Sequence, residues 1–292
     1  VTTSVSSGGK QLNNAWLMNI WAGGNNSITV KDNASLSTTI PEGARDNGDA
    51  YAKGYEGIGW FGQLRVEDNA ILNTSTLGLR EYYDENNIFR GKGSFVQTGG
   101  TTTIVAYGFA NDEGRYGYQG FVINGGTEAK ISGGKLNIWA NSSHVYEDKI
   151  ADAYDWFTGI QAHGSLEISG EDTLVEIQIP HEGTAIDVAH TEISIRDDAT
   201  VKVVGNGQNN YALQINENGK GGTVDVTDAK VSLQASQNGR GRMEIHDGTL
   251  SIQADEHPEV TYLKLHSHNE NASEFILPNG TVIVNNGMTA GT

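Results

Sequence analysis

The chain has 292 residues, of which 38 are glycine, four are proline and none is cysteine; its formal net charge is −17, from 36 acidic and 19 basic residues. The missing thiols exclude disulfide frameworks and thiolate metal sites, and the charge excludes nucleic acid, whose phosphates demand a basic face. The chain is too apolar for a disordered one, and no apolar run approaches the roughly 20 residues of a membrane-spanning helix, so no membrane insertion is expected.

From its start the chain reads as a mature fragment without a signal-peptide pattern. Residues 1–11 open with a Ser/Thr-rich run, Thr2–Ser7, and are expected to form a linker. A strand over 16–21 comes next. Then comes a phrase that repeats to the end: a short alternating apolar run, a tight turn of Asp, Asn or Gly, and a second alternating run. The first copy is Ile28–Leu36, turning at Asp32-Asn33, and the second is Leu64–Leu72, turning at Asp68-Asn69. Later copies centre on Gly99-Gly100, Gly133-Gly134, Gly170-Glu171, Asp197-Asp198, Asp228-Ala229, Asp247-Gly248 and Asn279-Gly280. A third strand precedes most copies, at 16–21, 57–62, 119–123, 158–162, 184–188, 211–215 and 261–265.

A unit of tens of residues recurring along the whole chain signals a solenoid. Three period-two strands per unit predict one coil of a parallel β-helix. Val66, Leu72, Ile195, Val201, Val226 and Leu233 are then expected inside, and Arg65, Glu67, Arg196 and Lys202 in water. An antiparallel sandwich, with each turn as a hairpin, is the competing reading. It does not account for nine repeats in one strand order. The fold class is therefore all-β: a right-handed parallel β-helix of about nine three-strand coils. Residues 12–292 make a single domain, with long loops in 39–157 and little helix.

Spacing between copies varies mostly at one point of the phrase, before the third strand. The inserts are 39–56, 78–92, 107–118 and 141–155, with shorter ones at 180–183 and 205–210. Inserts at one coil position are expected to emerge along one edge, as a ridge. Nine of the eleven tyrosines fall in 51–154. Aromatic rings cover the apolar C–H faces of sugars, and arginine grips carboxylates with a two-pronged hydrogen bond. Tyr51, Tyr55, Trp60, Arg80, Tyr82, Tyr83, Arg90, Arg115, Tyr116, Tyr118 and Trp156 are thus the candidate carbohydrate-binding residues. Such rings also close loops onto the rod as satellite cores. The same inserts hold many carboxylates, which repel a polyanion at neutral pH and lose charge near pH 4. Binding of acidic glycans is therefore expected to strengthen in acid.

A catalytic set is not expected. Hydrolases need converging carboxylates, whereas Asp197-Asp198 sits in a tight turn where Asp serves the backbone. Asp187 is solitary on its third strand, with Asp152 and Asp155 in the insert of the preceding coil. His266 and His268 share a strand face without further ligands, so no metal and no cofactor are expected. The competing functions are a polysaccharide lyase or hydrolase acting on an acidic polymer, and a structural stalk without a ligand.

The Ser/Thr-rich lead Thr2–Ser7, the coils typified by Leu64–Leu72 and Ile193–Val203, and the long-loop edge from Thr39 to Phe157 resemble the pectate-lyase-like β-helices. More narrowly, they resemble the binding regions of serine-rich repeat adhesins of lactobacilli. The resemblance covers residues 12–286 but supplies no motif for the binding residues. It implies a secreted adhesin module at the bacterial cell wall, monomeric and non-catalytic. Its implied partners are host mucin glycans, the epithelial surface and pectin-like acidic polysaccharides, bound more strongly in acid.

Overall fold

A strand that alternates apolar and polar residues leaves one face needing cover, and stacking similar coils covers it. The computed structural model describes residues 2–4, 16–22, 26–39, 54–60, 62–110, 116–140, 156–179, 182–205, 209–215, 222–236, 240–245, 249–253, 262–267, 274–276 and 281–285. All regular elements among them are strands. The chain winds through three sheets, here A, B and C, each of nine described strands. The result is a parallel β-helix.

Sheet C runs in coil order from Ser27–Val30 through Gln63–Val66, Ser94–Gln97, Glu128–Ile131, Ser165–Ser169, Glu192–Arg196, Thr223–Thr227 and Thr249–Gln253 to Thr281–Asn285. Sheet A takes the strands that follow these, such as Ser35–Thr39, Ile71–Ser75, Gly134–Ala140 and Thr200–Gly205. Sheet B takes the third strands, such as Gly54–Trp60, Trp156–Ala162 and Glu182–Val188. Thr2–Ser4, within the Ser/Thr-rich lead, pairs in parallel with Ser37–Thr39 as the first strand of sheet A.

Inward residues stack on their equivalents one coil away. In sheet C one such column runs Val30, Val66, Gln97, Ile131, Ile168, Ile195, Val226. Val66, Leu72, Ile195, Val201 and Val226 are buried as expected, and Leu233 shares the register of Val203. Arg196 and Lys202 are exposed, with Arg65 and Glu67 half-buried. One large side chain is offset by a small one: Phe95 sits in register with Ala129 and meets Phe121 of sheet B edge-on, ring centroids 5.5 Å apart. Each large aliphatic side chain so buried contributes about 1.5–3 kcal/mol.

The C-to-A corner has a backbone reason for its Asp, Asn and Gly. Asp32, Asp68, Gly100, Gly134, Gly170, Asp197, Asp198 and Asp228 all take positive φ, between 46° and 93°. Those residue types tolerate the left-handed region best. The turns also bond to one another: Asn69 N–H donates to Asp32 O at 3.0 Å, and Asp32 N–H to Asp68 Oδ2 at 3.1 Å.

The structure corrects the coil phase at three places. Leu77–Leu79 is the sheet B strand of its coil, pairing with Ile58–Trp60 and with Phe121–Ile123. The 78–92 insert therefore leaves at the B-to-C corner, not at the A-to-B corner of the others. Near the C-terminus, Asp247-Gly248 and Asn279-Gly280 also fall between sheets B and C, after Arg240–Ile245 and Glu274–Ile276. The expected third strand 261–265 belongs instead to Tyr262–Ser267 of sheet A.

Gly100 has φ +67°, and a Cβ there would lie 2.3 Å from Ala70 O. Gly100→Ala should lower the apparent unfolding free energy by about 1–3 kcal/mol in urea titrations. Thr98→Ala, an exposed neighbour, should cost under ~0.5 kcal/mol.

Candidate functional site

The candidate residues named from the sequence fall at two ends of sheet B. At the end that follows the A-to-B corner, Tyr55 pairs with Leu17, Trp156 with Gly117, and Tyr118 with Phe157. Tyr107–Ala110 continues out of sheet A and pairs antiparallel with Tyr116–Gln119, so Tyr116 and Tyr118 lie on the arm of a projecting hairpin. At the opposite end, Trp60 is in register with Leu79, and Arg80, Tyr82, Tyr83 and Arg90 follow in the next insert. Tyr51 and Arg115 lie outside the described residues.

The single ridge expected from the sequence is thus two flanks. Between them lies sheet B: Tyr118 and Ile123 are five residues apart on one strand, roughly 16 Å. The physical reason is the three-residue strand Leu77–Leu79, which completes its coil before the insert begins.

The second flank is well built. Glu81–Tyr83 and Phe89–Lys92 form an antiparallel hairpin. Its loop is closed by Asp84, whose Oδ1 accepts the N–H groups of Asn86 and Ile88, both at 2.9 Å. Asn87 turns the chain with φ 59°. Arg90 Nε donates to Asp84 Oδ2 at 2.8 Å. The Ile88 N–H bond above all, then Arg90 and Asn86, hold the Asp84 carboxyl below its ordinary range. Arg90 is therefore engaged within the hairpin and not simply open to a ligand.

On the hairpin's outer side Tyr83 and Phe89 meet edge-on, ring centroids 5.6 Å apart. They are 45% and 50% exposed, and Ile88 beside them 51%. At its base lies an open depression of about 480 Å³, lined by Arg80, Glu81, Tyr83 and the turn Asn124–Gly126 of the next coil. Gly126 takes φ +76°, the left-handed region that favours glycine, and packs against Glu81, whose Oε1 would lie 2.0 Å from an added Cβ. The Tyr83 hydroxyl donates to Glu81 Oε2 at 3.0 Å. That hydrogen bond, reinforced by the carboxylate's charge, pushes the phenol's pKa up. The phenol therefore remains a protonated donor at neutral pH.

The site thus brings together Arg80, Tyr83 and the engaged Arg90, with apolar ring faces beside polar groups. It also contains residues missed in the sequence. Phe89 was hidden because a lone aromatic beyond a loop has no periodicity of its own. Asn124-Gly125-Gly126 carried a turn signal but no hint of its neighbour. Asp197-Asp198 lies in the tight turn, both residues at positive φ, as the turn chemistry required.

No protein-family model, no curated protein and no solved structure matches this chain.

The lowered Asp84 pKa has a consequence for the loop. A carboxyl depressed on folding stabilises the fold above its ordinary value and loses that contribution as pH falls through the depressed one. Asn86 and Ile88 amides should keep their exchange protection at about pH 5 and lose it only below the ordinary 3.8. Hydrogen exchange followed by NMR reads this, with Asp84→Ala losing protection at every pH.

Proposed function

We propose that this chain is a non-catalytic, monomeric binding module for acidic polysaccharides and mucin-type glycans. It serves as the folded tip of an adhesin secreted to a bacterial cell wall, facing host epithelium. One observation carries the reading. A hairpin on a rigid rod displays the exposed Tyr83 and Phe89 rings, with Tyr83 and Arg80 lining the depression at its base. Rings of this kind stack on the apolar faces of pyranoses while their edges stay wet. An arginine among them suits a uronate carboxylate.

The rod's stiffness supports the same reading. A site assembled from adjacent coils needs no reorganisation to receive an extended chain, which reduces the entropic cost of binding. The surface address rests on the resemblance of the coils and the Ser/Thr-rich lead to serine-rich repeat adhesins.

The formal charge of −17 opposes any polyanion at neutral pH, and carboxylates near their ordinary pKa lose that charge around pH 4. Polygalacturonate should therefore bind more tightly at about pH 4.5 than at about pH 7.4. A Tyr83→Ala/Phe89→Ala variant should bind at least about fivefold more weakly with an unchanged unfolding midpoint, these being exposed positions. Equal affinity at both pH values, or full-strength binding by the variant, overturns the reading. So does the release of unsaturated uronides or reducing ends from the polymer.

A further inference from the structure

The three outer faces of the rod differ in charge. Among the described strands, those of sheet B carry two arginines against five acids. Those of sheet C carry three bases against four acids. The strands of sheet A carry four lysines, Lys135, Lys202, Lys230 and Lys264, against the single acid Glu176. A chain with a net charge of −17 has therefore kept one face basic.

Register places these lysines in two adjacent columns. Lys135 and Lys230 share a column through Leu174 and Thr200. Lys202 and Lys264 share the next, through Ser232, with Glu176 one coil before Lys202. Glu176 meets Lys135 Nζ and lies 3.9 Å from Lys202 Nζ. One carboxylate thus faces two ammonium groups of three donors each, which leaves donors turned to water. The lysine side chains are 41% and 50% exposed.

The same face carries an exposed tryptophan. Lys135, Asn137 and Trp139 alternate along the outer side of one strand, and Trp139 is 39% exposed. Indole is the largest ring a protein offers for stacking, and on this flat face it stands about 13 Å along the strand from Lys135.

We infer that the outer face of sheet A is a second binding track, for a carboxylated polysaccharide running along the rod. Its lysines pair with uronates spaced along the chain, and Trp139 covers a sugar face. Within a column the lysines stand two or three coils apart, roughly 10–14 Å, so an extended carboxylated chain lying along the rod meets them one after another. The track rests on the acidic-glycan reading above but uses a different face and different residues from the hairpin.

The test measures polygalacturonate binding to the full chain at several salt concentrations. Exposed ion pairs add little to stability, so Lys202→Gln/Lys230→Gln should keep the unfolding midpoint. The variant should bind at least about fivefold more weakly at low salt and show a flatter salt dependence. Trp139→Ala should weaken binding without changing that dependence. Parent-like binding by both variants, in a chain whose Tyr83→Ala/Phe89→Ala variant is impaired, overturns the track and leaves the hairpin site standing. The reverse result overturns the hairpin site and supports the track. A parent chain that does not bind polygalacturonate overturns both, and lysine-dependent binding of dextran sulfate alone overturns the choice of a carboxylated ligand.

Discussion

Each coil is held by a parallel ladder to the coil before it, and everything else in the molecule follows from that stacking. Because the parallel ladders pair residues 19 to 44 positions apart, side-chain neighbours are set by register, not by proximity in sequence. Thr38 and Thr74 hydrogen-bond at 2.7 Å inside the rod for this reason. The constraint also tolerates exceptions. Gln97 occupies an inward position in a column of aliphatic residues, wholly buried. Its Nε2 donates to the carbonyls of Gly133 and Lys135, at 3.3 and 3.1 Å, binding the next turn in place. Its Oε1 and the nearby Thr102 Oγ1 are buried without a partner.

The same register governs charge on the surface. On sheet C, Lys130, Glu167 and Arg196 come from three consecutive coils, with Glu167 2.8 Å from Lys130 and 2.7 Å from Arg196. The Lys130 hydrogen bond, with a further contribution from Arg196, pulls the Glu167 carboxyl below its ordinary range. Glu167 is thus neutralised by bases of its own sheet. Sheet A has too few acids to do the same, so its basic groups face outward.

Much of the fold was legible because its local chemistry is strict. The left-handed turns at Asp32, Asp68 and Gly100 require the residue types that mark them, and Leu64, Val66 and Leu72 alternate as half-buried strands must. Legibility failed where the same chemistry serves two corners. Asp247-Gly248 reads like every other turn, yet it lies between sheets B and C. It failed again at Leu77–Leu79, a strand too short to show a period. The candidate site was half legible. Arg80 and Tyr83 stood out by composition, but the partner that engages Arg90 and the exposure of Phe89 are products of hairpin geometry. Trp139 stands out only in the structure, where the pleat turns it outward beside the buried Ile138.

The most direct test of the stacking uses the absence of native cysteine. Asn73 and Thr103 are in register on the outer face of sheet A, at a separation a disulfide can bridge. Asn73→Cys/Thr103→Cys should cross-link rapidly under mild oxidation, whereas Asn73→Cys/Val105→Cys, displaced by two residues along the strand, should not. Cross-linking that is absent from the first pair, or equal in both, would contradict the coil register on which the faces, the flanks and the proposed sites all depend.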